Sequence, residues 1–253
     1  MPIKSSIHVN AVDIPDAWFQ CISNVLDHGF RYVIEQGSFV GQTRLEFDWI
    51  TVRIQFSYAE PYDLMLPKIP EQLNIPNPVE SGYVEQYLPY LMSANKKQGE
   101  DYTYGERLCE FADGKLKWSD DDQINHFINL LKKTPNTNQA ILQVAQPSDC
   151  LLDDPPCLRH IDMRIRSEII ETGVIEQGQR EYLERKRLVF YPYFRSWDLW
   201  SGFPANLAAI AVLQKYMADE IGVDVGPIIA SSKGLHIYGY VEDLAKIRAN
   251  KRG

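Results

Sequence analysis

The sequence predicts an α/β protein, because segments with helical periodicity and segments with strand periodicity both recur along its 253 residues. Hydrophobic residues make up 45% of the chain, which is enough to bury a sizeable core. Neither an internal repeat nor a convincing linker divides the sequence. We therefore expect residues 1–253 to form a single domain.

Four segments carry the pattern of helices. Residues 13–36 open with a proline between two aspartates and continue with apolar residues at helical spacing. Residues 121–133 begin with acidic side chains and end with lysines, as the helix dipole favours. Residues 204–221 are the most apolar of the four and lie between a proline and a glycine, and residues 81–93 complete the set.

Runs rich in β-branched and aromatic residues predict four strands. The predicted strands are 45–56, 140–144, 187–193 and 235–241. Residues 59–80 contain five prolines, which predicts a surface loop and a candidate lid over a site. The highly charged segment 166–186 is interpreted as either a hairpin or a helical insert.

Acidic residues outnumber basic residues by 34 to 26, so the formal net charge is -8. This charge makes nucleic acids and anionic membranes poor partners, whereas a locally basic pocket still suits an anionic small substrate. No apolar run approaches the roughly 20 residues of a membrane helix, and none follows the N-terminus as it would in a signal peptide. We therefore expect a cytoplasmic protein without membrane partners.

The four cysteines are irregularly spaced and indicate free thiols rather than a disulfide framework. No cysteine or histidine cluster has metal-ligand spacing, so no metal is expected. Cys157 differs from Cys21, Cys109 and Cys150 because two prolines precede it and keep it off a regular helix. A lone cysteine is more often a small buried hydrophobe, so the interpretation of Cys157 depends on the rest of the chain.

Residues 193–206 place charged and amide groups around a turn. Arg195 offers a planar donor fork that suits phosphate or carboxylate, and beside a thiol it would favour the thiolate. Asn206 lies two residues after a helix-initiating proline, where a buried amide needs hydrogen-bond partners. For any one of these residues, the alternative is a helix cap or a surface ion pair.

Taken together, these residues resemble the folate-dependent thymidylate synthase family. The active-site cysteine of that family follows a proline, as Cys157 does. The family's other motifs match in order: Tyr-Gly at 104–105, Arg-Ser-x-Asp at 195–198, Gly-x-Pro-x-Asn at 202–206 and His-x-Tyr at 236–238. The resemblance covers residues 80–240 well and 13–56 loosely, and it is greatest for the shorter archaeal-type branch.

The resemblance implies a reaction in which the thiolate of Cys157 adds to C6 of deoxyuridylate. The C5 atom then becomes a nucleophile and attacks a one-carbon unit delivered by 5,10-methylenetetrahydrofolate or a related reduced pterin. Arg195 would lower the pKa of the thiol, and Tyr104 would assist removal of the C5 proton. Glu85 falls where the family keeps a proton-shuttling glutamate, although Glu80 is close by.

The same resemblance implies a set of binding residues. Arg44, Arg195 and Ser196 would hold the nucleotide phosphate, and Asp198 would bind the pterin. The amide of Asn206 can donate and accept at once, which suits the uracil edge, whereas an aspartate there would suggest cytosine. His236 and Tyr238 would bind the sugar hydroxyl.

Four departures from the family pattern bear on the reaction. The two adjacent arginines that the family sends from the neighbouring subunit are replaced by Asn138 and Gln139, and Arg159 or Arg164 are candidate substitutes. The histidine after the cysteine is Leu158, and the glutamine before Arg-Ser is Phe194. The chain also ends soon after the His-x-Tyr motif, where longer members use a tail to exclude water from the site.

These departures leave three functions open: thymidylate synthesis, a pyrimidine nucleotide 5-hydroxymethylase in which water replaces hydride, and a catalytically silent nucleotide-binding relative. The fold that the resemblance implies is a mixed twisted sheet covered by helices on one face. In the family the other face packs against a second subunit, so a homodimer is expected. The identity of the pterin and the choice between deoxyribonucleotide and ribonucleotide stay open.

Overall fold

A computed structural model describes residues 6–109, 122–174 and 180–251. The helices are α1 (Ile14–His28), α2 (Tyr83–Met92), α3 (Tyr104–Cys109), α4 (Gln123–Lys133), α5 (Gly202–Ile221) and α6 (Glu242–Arg248). The strands are β1 (Ile7–Ala11), β2 (Phe30–Val33), β3 (Thr43–Glu46), β4 (Ile50–Ile54), β5 (Ile141–Gln143), β6 (Leu158–Val174), β7 (Arg180–Phe194), β8 (Trp197–Asp198), β9 (Asp224–Ser232) and β10 (Leu235–Tyr238).

The strands form two mixed sheets, as the predicted fold class requires. The larger sheet has the order β1-β4-β9-β7-β6-β5, with parallel pairs at β1/β4 and β7/β9 and antiparallel pairs elsewhere. The smaller sheet has the order β2-β3-β10-β8. Helices α1, α4 and α5 pack against the larger sheet and against one another.

Helix α5 is the centre of the core, which explains its apolar composition. Thirteen of its side chains are buried, and it contacts β7, β9, α1, α2 and α4. It ends at Gly222, whose φ of 84° is the left-handed conformation that glycine adopts at little cost. Along β9, buried residues alternate with half-buried ones, so one face of the sheet meets α5 and the other is less covered.

The prediction of one helix over residues 13–36 is wrong beyond His28. Helix α1 begins at an Asp13 cap and buries its apolar stripe, but it ends at Gly29. A side chain at Gly29 would collide with the Val25 carbonyl oxygen, which a Cβ atom would approach to 2.6 Å. The chain then continues as β2, because Phe30–Val33 pairs with β3.

The prediction of one strand over residues 45–56 is also wrong, because the segment divides between the two sheets. Its first part belongs to β3, which pairs with β2 and β10. Its second part is β4, between β1 and β9. The exposed Asp48 and Trp49 separate the two strands, and this break moves the chain from one sheet to the other.

The proline-rich segment 59–80 packs on the protein instead of lying over a site as a lid. It contains two short 3-10 turns, Tyr62–Met65 and Glu71–Leu73. Met65, Leu66 and Ile69 join the hydrophobic core. The segment therefore contributes buried apolar area to the fold.

The remaining predicted helices and strands are present, and only their first and last residues differ. Helices 81–93 and 204–221 correspond to α2 and α5, and helix 121–133 corresponds to α4, although residue 121 lies outside the described residues. Strands 140–144 and 187–193 correspond to β5 and the inner half of β7, and β10 covers the first four residues of the predicted strand 235–241. Residues 166–174 and 180–186, the described parts of segment 166–186, are the outer portions of the paired strands β6 and β7, as the hairpin interpretation had it.

Gln214 is a fully buried polar side chain on α5 that ties the helix to the sheet. Its Nε2 donates to the carbonyl oxygens of Leu188 at 2.8 Å and Gly226 at 3.2 Å, and its Oε1 accepts from Ser57 Oγ at 3.1 Å. These contacts satisfy backbone groups where the β7/β9 pairing is interrupted by a register shift. The sequence pattern of an apolar helix gave no sign of this anchor.

We expect Gln214→Met to lower the free energy of unfolding by about 2–4 kcal/mol, because it leaves buried carbonyl and hydroxyl groups without partners. Urea denaturation measures the change. The control is Gln86→Met, at an exposed position on α2, which should stay within about 0.5 kcal/mol of the parent. Equal losses in both variants would contradict the proposed anchor.

Candidate active site

A cavity of about 590 Å³ opens between the ends of both sheets and the loop before β6. Five of the predicted site residues line it: Cys157, Arg195, Ser196, Arg44 and Tyr238. They are far apart in the sequence, and the topology brings them together. Arg44 and Tyr238 are directly paired residues of β3 and β10, while Arg195 and Ser196 connect β7 to β8.

The loop that carries Cys157 is held by Arg195. The Arg195 guanidinium donates from Nε (3.1 Å) and Nη2 to the Pro155 carbonyl oxygen, and Nη2 also donates to Asp154 Oδ1 at 2.8 Å. The Arg195 backbone N–H donates to the Cys157 carbonyl oxygen at 2.8 Å. One residue therefore fixes the backbone on both sides of the cysteine and places a positive charge near its sulfur.

The electrostatics of Cys157 differ from the sequence expectation. The side chain is half-buried, and burial raises the pKa of its thiol above the ordinary value. The charges of Arg195 and Arg159 lower this pKa, and the charge of Asp154 raises it. Arg195 thus acts in the predicted direction, but the net shift in the free protein is upward.

Arg44 reaches the cavity already engaged with neighbouring side chains. Its Nη2 donates to Tyr32 Oη at 2.9 Å, and its guanidinium carbon lies 4.8 Å from the Tyr32 ring centroid. Its Nε lies 2.8 Å from Glu46 Oε2, an ion pair whose angle does not form a hydrogen bond. Burial raises the pKa of Glu46, and Arg44 and Tyr32 oppose that shift.

Tyr104 lies behind the cysteine and does not line the cavity. Its hydroxyl oxygen accepts from the Leu158 backbone N–H at 3.3 Å, next to the nucleophile in sequence. Burial raises the pKa of this phenol well above its ordinary value, so it stays protonated. Its hydroxyl can therefore donate a hydrogen bond towards the cysteine side of the site.

Asp198 caps helix α5. Its carboxylate accepts from the backbone N–H groups of Trp200, Ser201 and Gly202 at 3.0–3.1 Å and from the Ser201 hydroxyl at 2.7 Å. The bond to the Gly202 N–H satisfies one donor that the N-terminus of α5 otherwise leaves unpaired, and the other bonds hold the turn before the helix. The capping alternative considered from the sequence is therefore present.

The side-chain amide of Asn206 forms two hydrogen bonds within the protein. Its Oδ1 accepts from Trp197 Nε1 at 3.0 Å, and its Nδ2 donates to Tyr87 Oη at 2.9 Å. The amide still keeps one N–H and one lone pair for another partner. Asn206 is not among the described residues that line the cavity.

His236 is a buried neutral imidazole. Its Nδ1 lies 2.8 Å from the Gly234 carbonyl oxygen, and burial lowers its pKa to about 4. Its Nε2 has no hydrogen-bond partner among the described residues. The ring packs edge-on against Tyr238, at 4.5 Å between centroids, so the two residues of the His-x-Tyr motif are in contact.

Glu85 is not among the described residues that line the cavity. Glu85 lies on the exposed side of α2, whereas Tyr87 on the same helix contacts Asn206. Residues two apart on a helix point in different directions, so the sequence interval alone misplaced this carboxylate. Glu80 is exposed as well.

Several lining residues were missed by the sequence analysis. They are Glu46, Cys150, Asp153, Asp154, Lys233 and a stretch at 34–39 that contributes Phe39. Lys233 is recognisable in the sequence as a charged residue. Its place at the cavity depends on the turn between β9 and β10, and the sequence analysis did not predict β9. Among the described residues, no group of three or more metal-ligating side chains is found.

The positions where the sequence departs from the expected pattern are also placed. Asn138 and Gln139 are exposed on the loop after α4. Leu158 and Phe194 are fully buried, and Phe194 stacks on Trp197 with ring centroids 3.9 Å apart. Arg159 lies near the cysteine loop, where its Nη1 donates to the Pro156 carbonyl oxygen.

No helix in the described ranges is long and apolar enough to cross a membrane. The fold and the cavity together define a protein that places a cysteine thiol beside side chains suited to an anion. The chain belongs to the thymidylate synthase family, whose family model matches residues 9–251.

The individual relatives agree with this assignment. A protein of Methanosarcina barkeri described as "Putative thymidylate synthase" is 28% identical over 239 residues, which are 94% of this chain and 92% of that protein. One of Methanococcoides burtonii with the same description is 29% identical over 233 residues, 92% of this chain and 89% of that protein. A "Thymidylate synthase" of Listeria monocytogenes is 28% identical over 118 residues, 46% of this chain and 32% of that protein.

We expect the pH dependence of Cys157 alkylation to report the charge of Asp154. The thiolate is the reactive form, so the midpoint of the iodoacetamide rate follows the thiol pKa. Asp154→Asn removes a negative charge that raises this pKa. It also removes the carboxylate that pairs with Arg195, whose positive charge lowers the pKa. The midpoint should therefore fall, by up to about one pH unit.

Rates are measured by mass spectrometry of the peptide that contains Cys157. Asp153→Asn is the matched control, because Asp153 lines the same cavity without being among the charges that shift Cys157. A midpoint that stays or rises in Asp154→Asn, or that falls equally in Asp153→Asn, would count against this electrostatic account.

Proposed function

We propose that this protein is a thymidylate synthase, which transfers a one-carbon unit from 5,10-methylenetetrahydrofolate to C5 of deoxyuridylate. Residues 1–253 would act as one catalytic domain. The observation that carries the proposal is the cavity in which Cys157 meets Arg195, Ser196, Arg44 and Tyr238. Membership of the family supports a one-carbon transferase and a reduced folate as co-substrate.

In this proposal the thiolate of Cys157 forms a bond to C6, and the pair of electrons of the C5=C6 bond moves to C5 and O4. The C5 atom then bonds to the methylene carbon of the folate as one of that carbon's two bonds to nitrogen breaks. Loss of the C5 proton drives cleavage of the remaining carbon–nitrogen bond, which leaves an exocyclic methylene on C5 and releases tetrahydrofolate. Hydride from the folate reduces the exocyclic methylene to methyl, while the cysteine is expelled from C6.

Tyr104 is proposed to assist at the C5 proton, because its protonated phenol contacts the residue next to the nucleophile. Asn206 is proposed to meet the uracil edge with its remaining donor and acceptor. Its present partners, Trp197 and Tyr87, hold the amide in one orientation, so the same group would present O and N–H in a fixed order.

His236 and Tyr238 are proposed to bind the sugar hydroxyl. The buried Nε2 of His236 has no partner among the described residues; because Nδ1–H donates to the Gly234 carbonyl oxygen and the imidazole is neutral at physiological pH, Nε2 can accept a hydrogen bond from a hydroxyl there. Asp198, held by the N-terminus of α5, is proposed to contact the pterin through the lone pairs that capping leaves free. Glu85 carries no role in this proposal, because it is exposed on α2.

We propose that two copies of the chain pair through the less covered face of the larger sheet. Trp49 is 40% exposed there and stacks on Tyr193 with centroids 5.8 Å apart, and His160 lies 5.6 Å from the same ring. Aromatic side chains of this kind are favoured at protein interfaces. This face is the one on which the family places its second subunit.

The product identifies the reaction. We expect the protein, supplied with deoxyuridylate and 5,10-methylenetetrahydrofolate, to give a nucleotide heavier by 14 Da, about the mass of a CH2 unit, because hydride completes the methyl group. Mass spectrometry of the nucleotide and the absorbance of dihydrofolate measure both products. Cys157→Ala should abolish both, and Cys109→Ala, at a thiol away from the cavity, should preserve them.

A different product would replace this proposal with its alternative. If the nucleotide gained the mass of CH2O and no dihydrofolate formed, water would have added in place of hydride, and the protein would be a 5-hydroxymethylase. Parallel reactions with deoxycytidylate and with uridylate, the ribonucleotide, show whether the base is selected as Asn206 predicts and which sugar is accepted.

A further inference from the structure

The cavity contains balanced charge. Among the described residues that line it, three are cationic (Arg44, Arg195 and Lys233) and three are carboxylates (Glu46, Asp153 and Asp154). A phosphate monoester brings roughly two negative charges at neutral pH. It therefore needs cations that the protein's own carboxylates do not already occupy.

Two of the three cations are already engaged. Arg195 forms its ion pair with Asp154 at 2.8 Å and holds the Pro155 carbonyl oxygen. Arg44 pairs with Glu46 and donates to Tyr32. Lys233 forms no ion pair with any described residue, and its side chain is exposed at the cavity. Its three donors are therefore available.

The turn that carries Lys233 is held firmly against the arginine segment. The Gly234 carbonyl oxygen accepts from the Trp197 backbone N–H at 2.9 Å, and the Gly234 N–H donates to Ser232 Oγ at 3.0 Å. A Cβ atom at Gly234 would come within 3.0 Å of the Arg195 carbonyl oxygen and 3.3 Å of the Ser196 Cα atom. Both distances are tighter than most Cβ contacts, so a glycine suits this close approach, which places the backbone of Lys233 beside Ser196.

We propose that Lys233 binds the phosphate of the substrate, together with Arg195 and Ser196. Lys233 thereby supplies, from the same subunit, a positive charge that the exposed Asn138 and Gln139 do not. Lysine suits this position because its ammonium is a point charge on a flexible stem, which can reach a phosphate without displacing Asp154 from Arg195. This inference rests on the proposed function, since it takes a nucleotide phosphate as the ligand.

The test compares two ligands that differ only in the phosphate. Dissociation constants for deoxyuridylate and deoxyuridine are measured by calorimetry with the parent, Lys233→Met and Lys233→Arg. The expected result is roughly tenfold or greater weakening of deoxyuridylate in Lys233→Met, because a charge-assisted contact is lost. Deoxyuridine should change by less than about twofold, and Lys233→Arg should recover most of the affinity for deoxyuridylate.

Lys133→Met is the control, because Lys133 is an exposed lysine of α4 that does not line the cavity. Equal weakening of both ligands, no weakening of deoxyuridylate, or parent protein that binds deoxyuridylate no better than deoxyuridine would overturn the inference. In steady state, Lys233→Met should raise KM and leave kcat near the parent value. If phosphate-selective binding depends on Lys233 but no methylated product forms, the proposed reaction fails and the role of Lys233 stands.

Discussion

The contact between Arg195 and the loop before Cys157 determines how the site is built. Both side-chain and backbone groups of Arg195 hold this loop, through the carbonyl oxygens of Pro155 and Cys157. Because Arg195 follows directly on β7, the loop that carries Cys157 is held against the central sheet. The same guanidinium lowers the thiol pKa, so position and reactivity depend on one residue.

A buried ion pair also holds the segment that leads into this loop. Asp149, which is 1% exposed, accepts from Arg107 Nη2 at 3.0 Å and from the Gln146 backbone N–H at 2.8 Å. Arg107 lies on α3, the helix that begins with Tyr104. The phenol and the cysteine are thus connected through a charged contact as well as through the Leu158 hydrogen bond. Burial makes such a pair costly to break from one side.

The parts of the fold that the sequence predicted are those with strong local signals. Helices α4 and α5 have caps, dipole-matched charges or a long apolar pattern. Residues 45–56 form a continuous strand-like pattern, yet two exposed residues between β3 and β4 divide them. Strand β9 was missed because Gly226 and Pro227 interrupt its pattern, and its pairing with β7 and β4 is decided by tertiary contacts.

The candidate site was likewise predicted only in part from the sequence. Cys157, Arg195 and Ser196 were identified from motifs, and the cavity contains them. Glu85 was chosen by interval along the chain, and the helix turns it to solvent. Lys233 and Asp154 were absent from the predicted set because their importance depends on which charges face each other across the cavity. That information exists only after the turn and the cysteine loop are placed.

The most direct measurement is release of tritium from deoxyuridylate labelled at C5, in the presence of 5,10-methylenetetrahydrofolate. Loss of the C5 proton requires that a nucleophile first saturate C6, so release reports addition by the cysteine even when later steps are slow. The account predicts release by the parent and by Cys150→Ala, whose thiol lines the same cavity, and none by Cys157→Ala. Release that persists in Cys157→Ala, or a parent protein that releases none, would contradict it.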